Sequence, residues 1–86
     1  MASVEEVKAS VAASVSGAER AVTGIQQAAD QLEDALALLR LTAIGSFHPS
    51  VASAIVSLEQ ARLRLDEAAQ LTRAATSSAN DFRTII

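Results

Sequence analysis

The chain has 86 residues, half of them hydrophobic, with no cysteine and only two aromatic side chains, both phenylalanine. So short a chain forms one small domain at most, and the lack of thiols excludes disulfides and thiolate-held metals. Because 7 Lys and Arg stand against 10 Asp and Glu, and Tyr and Trp are absent, we expect no nucleic-acid partner.

The N-terminal segment lacks the basic stretch followed by an apolar core that marks a cleaved signal peptide. The most apolar run, residues 35–44, contains Arg40 and falls short of the roughly 20 apolar residues that cross a bilayer. We therefore expect no membrane insertion, and a protein that is cytoplasmic or exported without a cleaved signal peptide.

The first predicted element is a helix over about residues 3–43. Ser3 and Glu6 have the spacing of a capping box, in which each side chain bonds to the backbone amide of the other residue. Ala, Leu, Gln, Glu and Arg, which favour helix, dominate the segment that follows. Gly45 is the expected stop because glycine tolerates the left-handed conformation found just beyond many helix ends.

A turn over about residues 44–48 and a second helix over about residues 49–83 are predicted next. Pro49 suits the first turn of a helix, where its missing N–H costs nothing. Either His48 or Ser46 is expected to cap that helix. One continuous helix is the alternative, and a proline in its interior would cost about 3 kcal/mol.

Both predicted helices carry a heptad pattern that is largely bulky at one position and small three residues later. When the chain folds back at residues 46 and 47, large side chains face small ones in most layers. The predicted pairs are Leu39–Ala54, Ala35–Leu58, Leu32–Ala61, Ala28–Leu65, Ile25–Ala68, Ala21–Thr72, Ala18–Ala75, Ser14–Ala79, Val11–Phe82 and Val7–Ile86. The fold class predicted is all-α, an antiparallel two-helix hairpin that forms a single domain over residues 1–86.

Many apolar residues lie off these pairs and cluster near the bend. They form a candidate interface for a partner, because an exposed apolar patch usually marks an interaction site. Its residues are Leu36, Leu38, Leu41, Ile44, Phe47, Ile55, Val56 and Leu63. We expect a homodimer or a pairing with a similar hairpin protein, which gives a four-helix bundle. The alternative is scattered exposed apolar residues, which are common on protein surfaces.

A strip of small residues in the first helix is a second candidate contact surface. It consists of Ser14, Gly17, Ala21, Gly24 and Ala28, spaced three and four residues apart. Each glycine costs about 1 kcal/mol in a helix relative to alanine, which is easier to understand if another helix packs closely there. Neutral drift in an Ala-, Gly- and Ser-rich sequence is the alternative.

No pattern in the sequence indicates catalysis, a cofactor, a metal or a small-molecule substrate. His48 is the only histidine, and its place at a helix start indicates a cap or an exposed group. Metal binding in a bundle favours Glu-x-x-His pairs, which are absent. The acidic residues fall mainly off the heptad positions, as expected of solvated surfaces. We therefore expect a protein that is not an enzyme.

The small, cysteine-free hairpin resembles the WXG-motif family, the small type VII secretion substrates and their partner proteins. In the stretch Ala43-Ile44-Gly45, the glycine of the family's Trp-x-Gly turn motif is kept, Ala43 stands at the tryptophan position, and Phe47 supplies an aromatic nearby. Phe82 corresponds to the aromatic of the family's export tail, and Ile86 stands where that motif has an acid. The resemblance implies helix–turn–helix subunits that pair into four-helix bundles and are often exported as folded dimers.

These observations predict a small non-enzymatic assembly or protein-binding module, with a type VII secretion-associated role as its most specific form. The alternative is a cytoplasmic regulatory adaptor, or an antitoxin-like or chaperone-like protein that caps a partner's apolar helix.

Overall fold

The computed structural model describes residues 2–86 and contains two helices, α1 (Val4–Ile44) and α2 (Pro49–Ile85). They pack along their length as an antiparallel hairpin that measures 63 × 18 × 14 Å. The predicted all-α hairpin is thereby confirmed, and the helices begin and end within about two residues of the expected positions.

Helix α1 begins at the predicted capping signal. Ser3 has an extended backbone, and its Oγ accepts a hydrogen bond of 3.1 Å from the backbone amide of Glu6. Glu5 and Glu6 place negative charge in the first turn, where it interacts favourably with the helix dipole.

Helix α1 ends differently from the prediction. Gly45 has a φ of −101°, so the expected left-handed glycine cap is wrong. The amide of Gly45 instead donates to Thr42 O, at 3.1 Å, and that of Ser46 donates to Ala43 O, at 3.2 Å. These bonds span three residues and tighten the last turn, which satisfies carbonyls that the helix leaves open.

His48, one of the two residues proposed as the cap of α2, is the N-cap. Its Nδ1 accepts a hydrogen bond of 3.1 Å from the amide of Ser50, while its own amide donates to Ser46 Oγ at 3.3 Å. Pro49 occupies the start of the helix, as predicted.

The core lies in the seam, the stripe of residues that each helix turns toward the other. In α1 the buried members of the seam are Val15, Ala29 and Leu36, with half-buried residues such as Ile25 and Leu32 between them. Ser14 and Ala21, which were predicted to face α2, are exposed. The rotation of α1 about its own axis buries Val15 and leaves the neighbouring Ser14 exposed. This rotation is favoured because it removes more apolar area from water.

The seam of α2 shifts along the helix. Leu58, Ala61, Leu65 and Ala68 are half-buried as predicted, but nearer the chain end Ala75 and Phe82 are exposed. The seam there includes Ala69, Thr76 and Arg83 instead. In a straight α-helix, residues seven apart differ in direction by about 20°. Over several heptads the predicted positions therefore turn out of the seam, and the residues that follow them in sequence turn into it.

The alignment of the two arms agrees with the predicted pairing. Ser14 and Ala18 of α1 line one groove together with Ala75 and Ala79 of α2. Near the bend, Arg62 Nε lies 2.8 Å from a Glu33 carboxylate oxygen. That contact is one position away from the predicted Leu32–Ala61 pair. Phe82, which was predicted to face Val11 in the seam, is 46% exposed, so the hairpin leaves much of its ring uncovered.

Candidate functional site

The apolar residues near the bend do not form one patch. At about 100° per residue, Leu38 and Leu41 lie on the side of α1 that points away from α2. Val56 and Leu63 lie on the opposite edge of the hairpin, on the outer side of α2. All four are exposed. The structure therefore separates the predicted interface into two apolar edges.

Ile44 and Phe47 lie between these edges, at the tip of the hairpin. Ile44 is exposed, and Phe47 is 100% exposed. Phe47 is thus a large aromatic side chain that the hairpin does not cover.

Two members of the predicted interface belong to the seam instead. Leu36 is 1% exposed and is the most deeply buried large side chain of the described residues, so its assignment to a partner surface is wrong. Ile55 is half-buried beside the seam. The rotation of α1 that exposes Ser14 and Ala21 is also what buries Leu36 against α2.

One broad side of the hairpin, here called the ion-paired face, carries charges from both helices. Arg62 forms an ion pair with Glu33, and Arg40 lies 3.7 Å from Glu33 and 3.6 Å from Glu59. About half of each of these side chains is exposed, so each pair contributes at most about 1 kcal/mol. The basic residues of this face are Lys8, Arg40, Arg62 and Arg73, and the acidic ones are Glu19, Glu33, Glu59 and Asp66.

The opposite broad side, here called the alanine-rich face, contains the predicted strip of small residues. Ser14, Ala21 and Gly24 are exposed, and Gly17 and Ala28 are half-buried. Apart from its chain neighbours and the backbone of its own helix turn, a methyl group added at Gly24 would meet no atom within 4 Å. Nothing within the described chain therefore packs closely on the centre of the strip.

Helix α2 contributes a matching row to the alanine-rich face. The row consists of Ser57, Ala61, Arg64, Ala68, Leu71, Ala75, Ser78 and Phe82. Leu71 is 71% exposed and Phe82 is 46% exposed, so both are large apolar side chains that the hairpin leaves open on this face. Arg64 is the charge within this row, and Glu6 lies at the far end of the face on α1.

Sequence reasoning missed the exposure of Phe82 because it extended one heptad along the whole of α2. The drift of a straight helix against a seven-residue repeat is a signal that could have placed Phe82 outside the seam.

The amide of Ser50 donates a hydrogen bond to His48 Nδ1, so the His48 side chain has a structural role at the start of α2.

Among residues 2–86, no three His, Cys, Asp or Glu side chains come close enough together to hold a metal ion. Neither of the two described helices combines the length and the apolar character that crossing a membrane requires.

Comparison of the chain with known protein families, with curated proteins and with solved structures found no match.

Proposed function

We propose that this hairpin is a non-enzymatic assembly module that pairs with a second helical hairpin, in the simplest case a second copy of itself, to form a four-helix bundle. The observation that carries the proposal is the size of its surface. The chain exposes 6099 Å². A folded monomer of its mass, 8.9 kDa, exposes about 4,800 Å².

The excess, about 1,300 Å² per chain, is larger than the roughly 800 Å² that each partner buries in a standard protein interface. The buried hydrophobic residues of the described chain are only Val15, Ala29, Leu36 and Ala69. Because a single pair of helices buries so little apolar area, a second pair adds the core that the first lacks.

The type VII secretion-associated role stays a prediction of the resemblance. It is supported by two long antiparallel helices joined by a short turn that contains Gly45 and Phe47. The alternative, an adaptor that caps a partner's apolar helix, is favoured by the exposed leucines Leu38 and Leu41 on one edge of the hairpin. Comparing culture supernatant with cytosol in the native host separates export from an adaptor role in the cytosol.

The mass of the purified chain in solution tests the proposal directly. We expect light scattering to give about twice the chain mass, with dissociation only on dilution. A chain that stays monomeric at every concentration up to about 1 mM would contradict self-association, because such a dissociation constant corresponds to only about −4 kcal/mol.

A further inference from the structure

We propose that the second copy docks on the alanine-rich face, so that two such faces meet around a two-fold axis parallel to the helices. The inference rests on the proposed function, and it specifies which of the four sides of the hairpin the partner covers.

The two broad faces differ in the number of charged side chains that they carry. Covering the ion-paired face would take Arg40, Glu33 and Glu59 out of water, and burying charges carries a large desolvation cost. Between its ends, the alanine-rich face presents Arg64 as its charged side chain. The cost of removing water is therefore much lower on the alanine-rich face.

The shape of the alanine-rich face also suits a second helix pair. Small side chains allow helix axes to approach near the lower end of the usual range, about 8–10 Å. The hairpin is 63 Å long and 18 Å wide, so its broad face can supply the roughly 800 Å² of a standard interface.

Leu71 and Phe82 determine the orientation of the second copy on the alanine-rich face. Val22 lines one groove with Arg73, and Ile25 lines another with Ala69, so Leu71 lies at the height of Gly24 along the hairpin. A two-fold axis parallel to the helices places α2 of one copy over α1 of the other at equal height. Leu71 then packs against Gly24 of the second copy, where the backbone is open.

The same operation places Phe82 near Ser14 of the second copy, because Ser14 and Ala79 line one groove. Each copy thus supplies large side chains from α2 and the small positions that receive them from α1. Such interdigitation is how facing helices fill space without voids.

Two adjacent alanines on α2 provide the test. Ala75 and Ala74 are both exposed, but Ala75 lies on the alanine-rich face and Ala74 points directly away from α1. We expect Ala75→Glu to raise the dimer dissociation constant at least tenfold, measured by sedimentation equilibrium, and Ala74→Glu to change it less than threefold. Equal effects of the two variants would overturn the proposal.

Gly24→Arg keeps the test valid if Ala75→Glu fails to fold. Arginine favours helix more than glycine does, and a Cβ at Gly24 would clash with no side chain and no part of α2. We expect full helicity by circular dichroism together with loss of the dimer, and Thr23→Arg serves as the control on the outer side of α1. A Gly24→Arg dimer as tight as the parent overturns the proposal.

Because the chain has no cysteine, introduced thiols report the contact without background. We expect a mixture of Gly24→Cys and Leu71→Cys chains to form a disulfide between them on mild oxidation. Preferential coupling of Gly24→Cys chains to each other would overturn the orientation. A monomeric parent protein would refute self-association, and with it the form of the proposed function on which this inference rests. A dimer that is insensitive to Ala75→Glu would refute only the choice of face.

Discussion

Near the bend, α1 and α2 are joined by the buried side chain of Leu36 and by the ion pair of Arg62 with Glu33 at 2.8 Å. Near the chain ends, Val15 of α1 is buried and lines one groove together with Thr76 and Ala79 of α2. Both ion pairs that cross between the described helices, Arg62 with Glu33 and Arg40 with Glu59, lie in the bend half.

This difference shows that the two halves of the hairpin depend on different interactions. The bend half has leucines and charges that hold the arms in one alignment. The half near the chain ends has mainly valine, alanine and threonine in its seam, so it buries less apolar area than the leucines of the bend half. We infer that the half near the chain ends gains more from a second hairpin than the bend half does.

The largest expected effect is that of Leu36→Ala, which removes the most buried large side chain of the bend half. We expect the free energy of unfolding in urea to fall by about 2–5 kcal/mol, because the lost contacts leave a cavity. Val15→Ala removes fewer atoms from the other half and should cost clearly less. Equal losses for the two variants would mean that the halves contribute alike.

A smaller effect is expected of Ser3→Ala at the start of α1. The change removes the acceptor for the amide of Glu6 and should cost about 1 kcal/mol. Hydrogen exchange should speed up in the first turns of α1 and stay unchanged around Leu36. Uniformly faster exchange throughout α1 would show that the two halves unfold together.

The smallest effect is expected of Arg62→Gln, which removes the 2.8 Å ion pair with Glu33. We expect a loss of about 0.2–1 kcal/mol that fades at high salt, since both side chains are about half exposed. Arg64→Gln is the matched control, because Arg64 pairs with Glu67 within α2 and does not join the helices. A double-mutant cycle with Glu33→Gln measures the coupling energy between the two side chains. A value near zero would show that this ion pair does not stabilise the bend half.

The ends of the helices and the pairing of the arms could be predicted from the sequence because their signals are local or repeated. Ser3 and Glu6 mark the start of α1 by their spacing, and Pro49 restricts the start of α2 by its ring. The alternation of large and small side chains along both helices predicted which stretches face each other.

The rotation of each helix about its axis could not be predicted in the same way. Whether Ser14 or Val15 faces α2 depends on the competition among all seam residues for burial, and a heptad assigned from Val4 alone does not resolve it. The same limit put Leu36 on a partner surface and Phe82 in the seam. The candidate interface was divided because residues close in sequence point to different sides of a helix.

The backbone of Gly45 has a consequence for the evolution of the tip. Since its φ of −101° is accessible to every amino acid except proline, this position of the connection does not require glycine. Doubling the length of a flexible loop costs only about 0.6 kcal/mol in closure entropy. The tip can therefore accept insertions or grafted peptides while the two arms stay aligned.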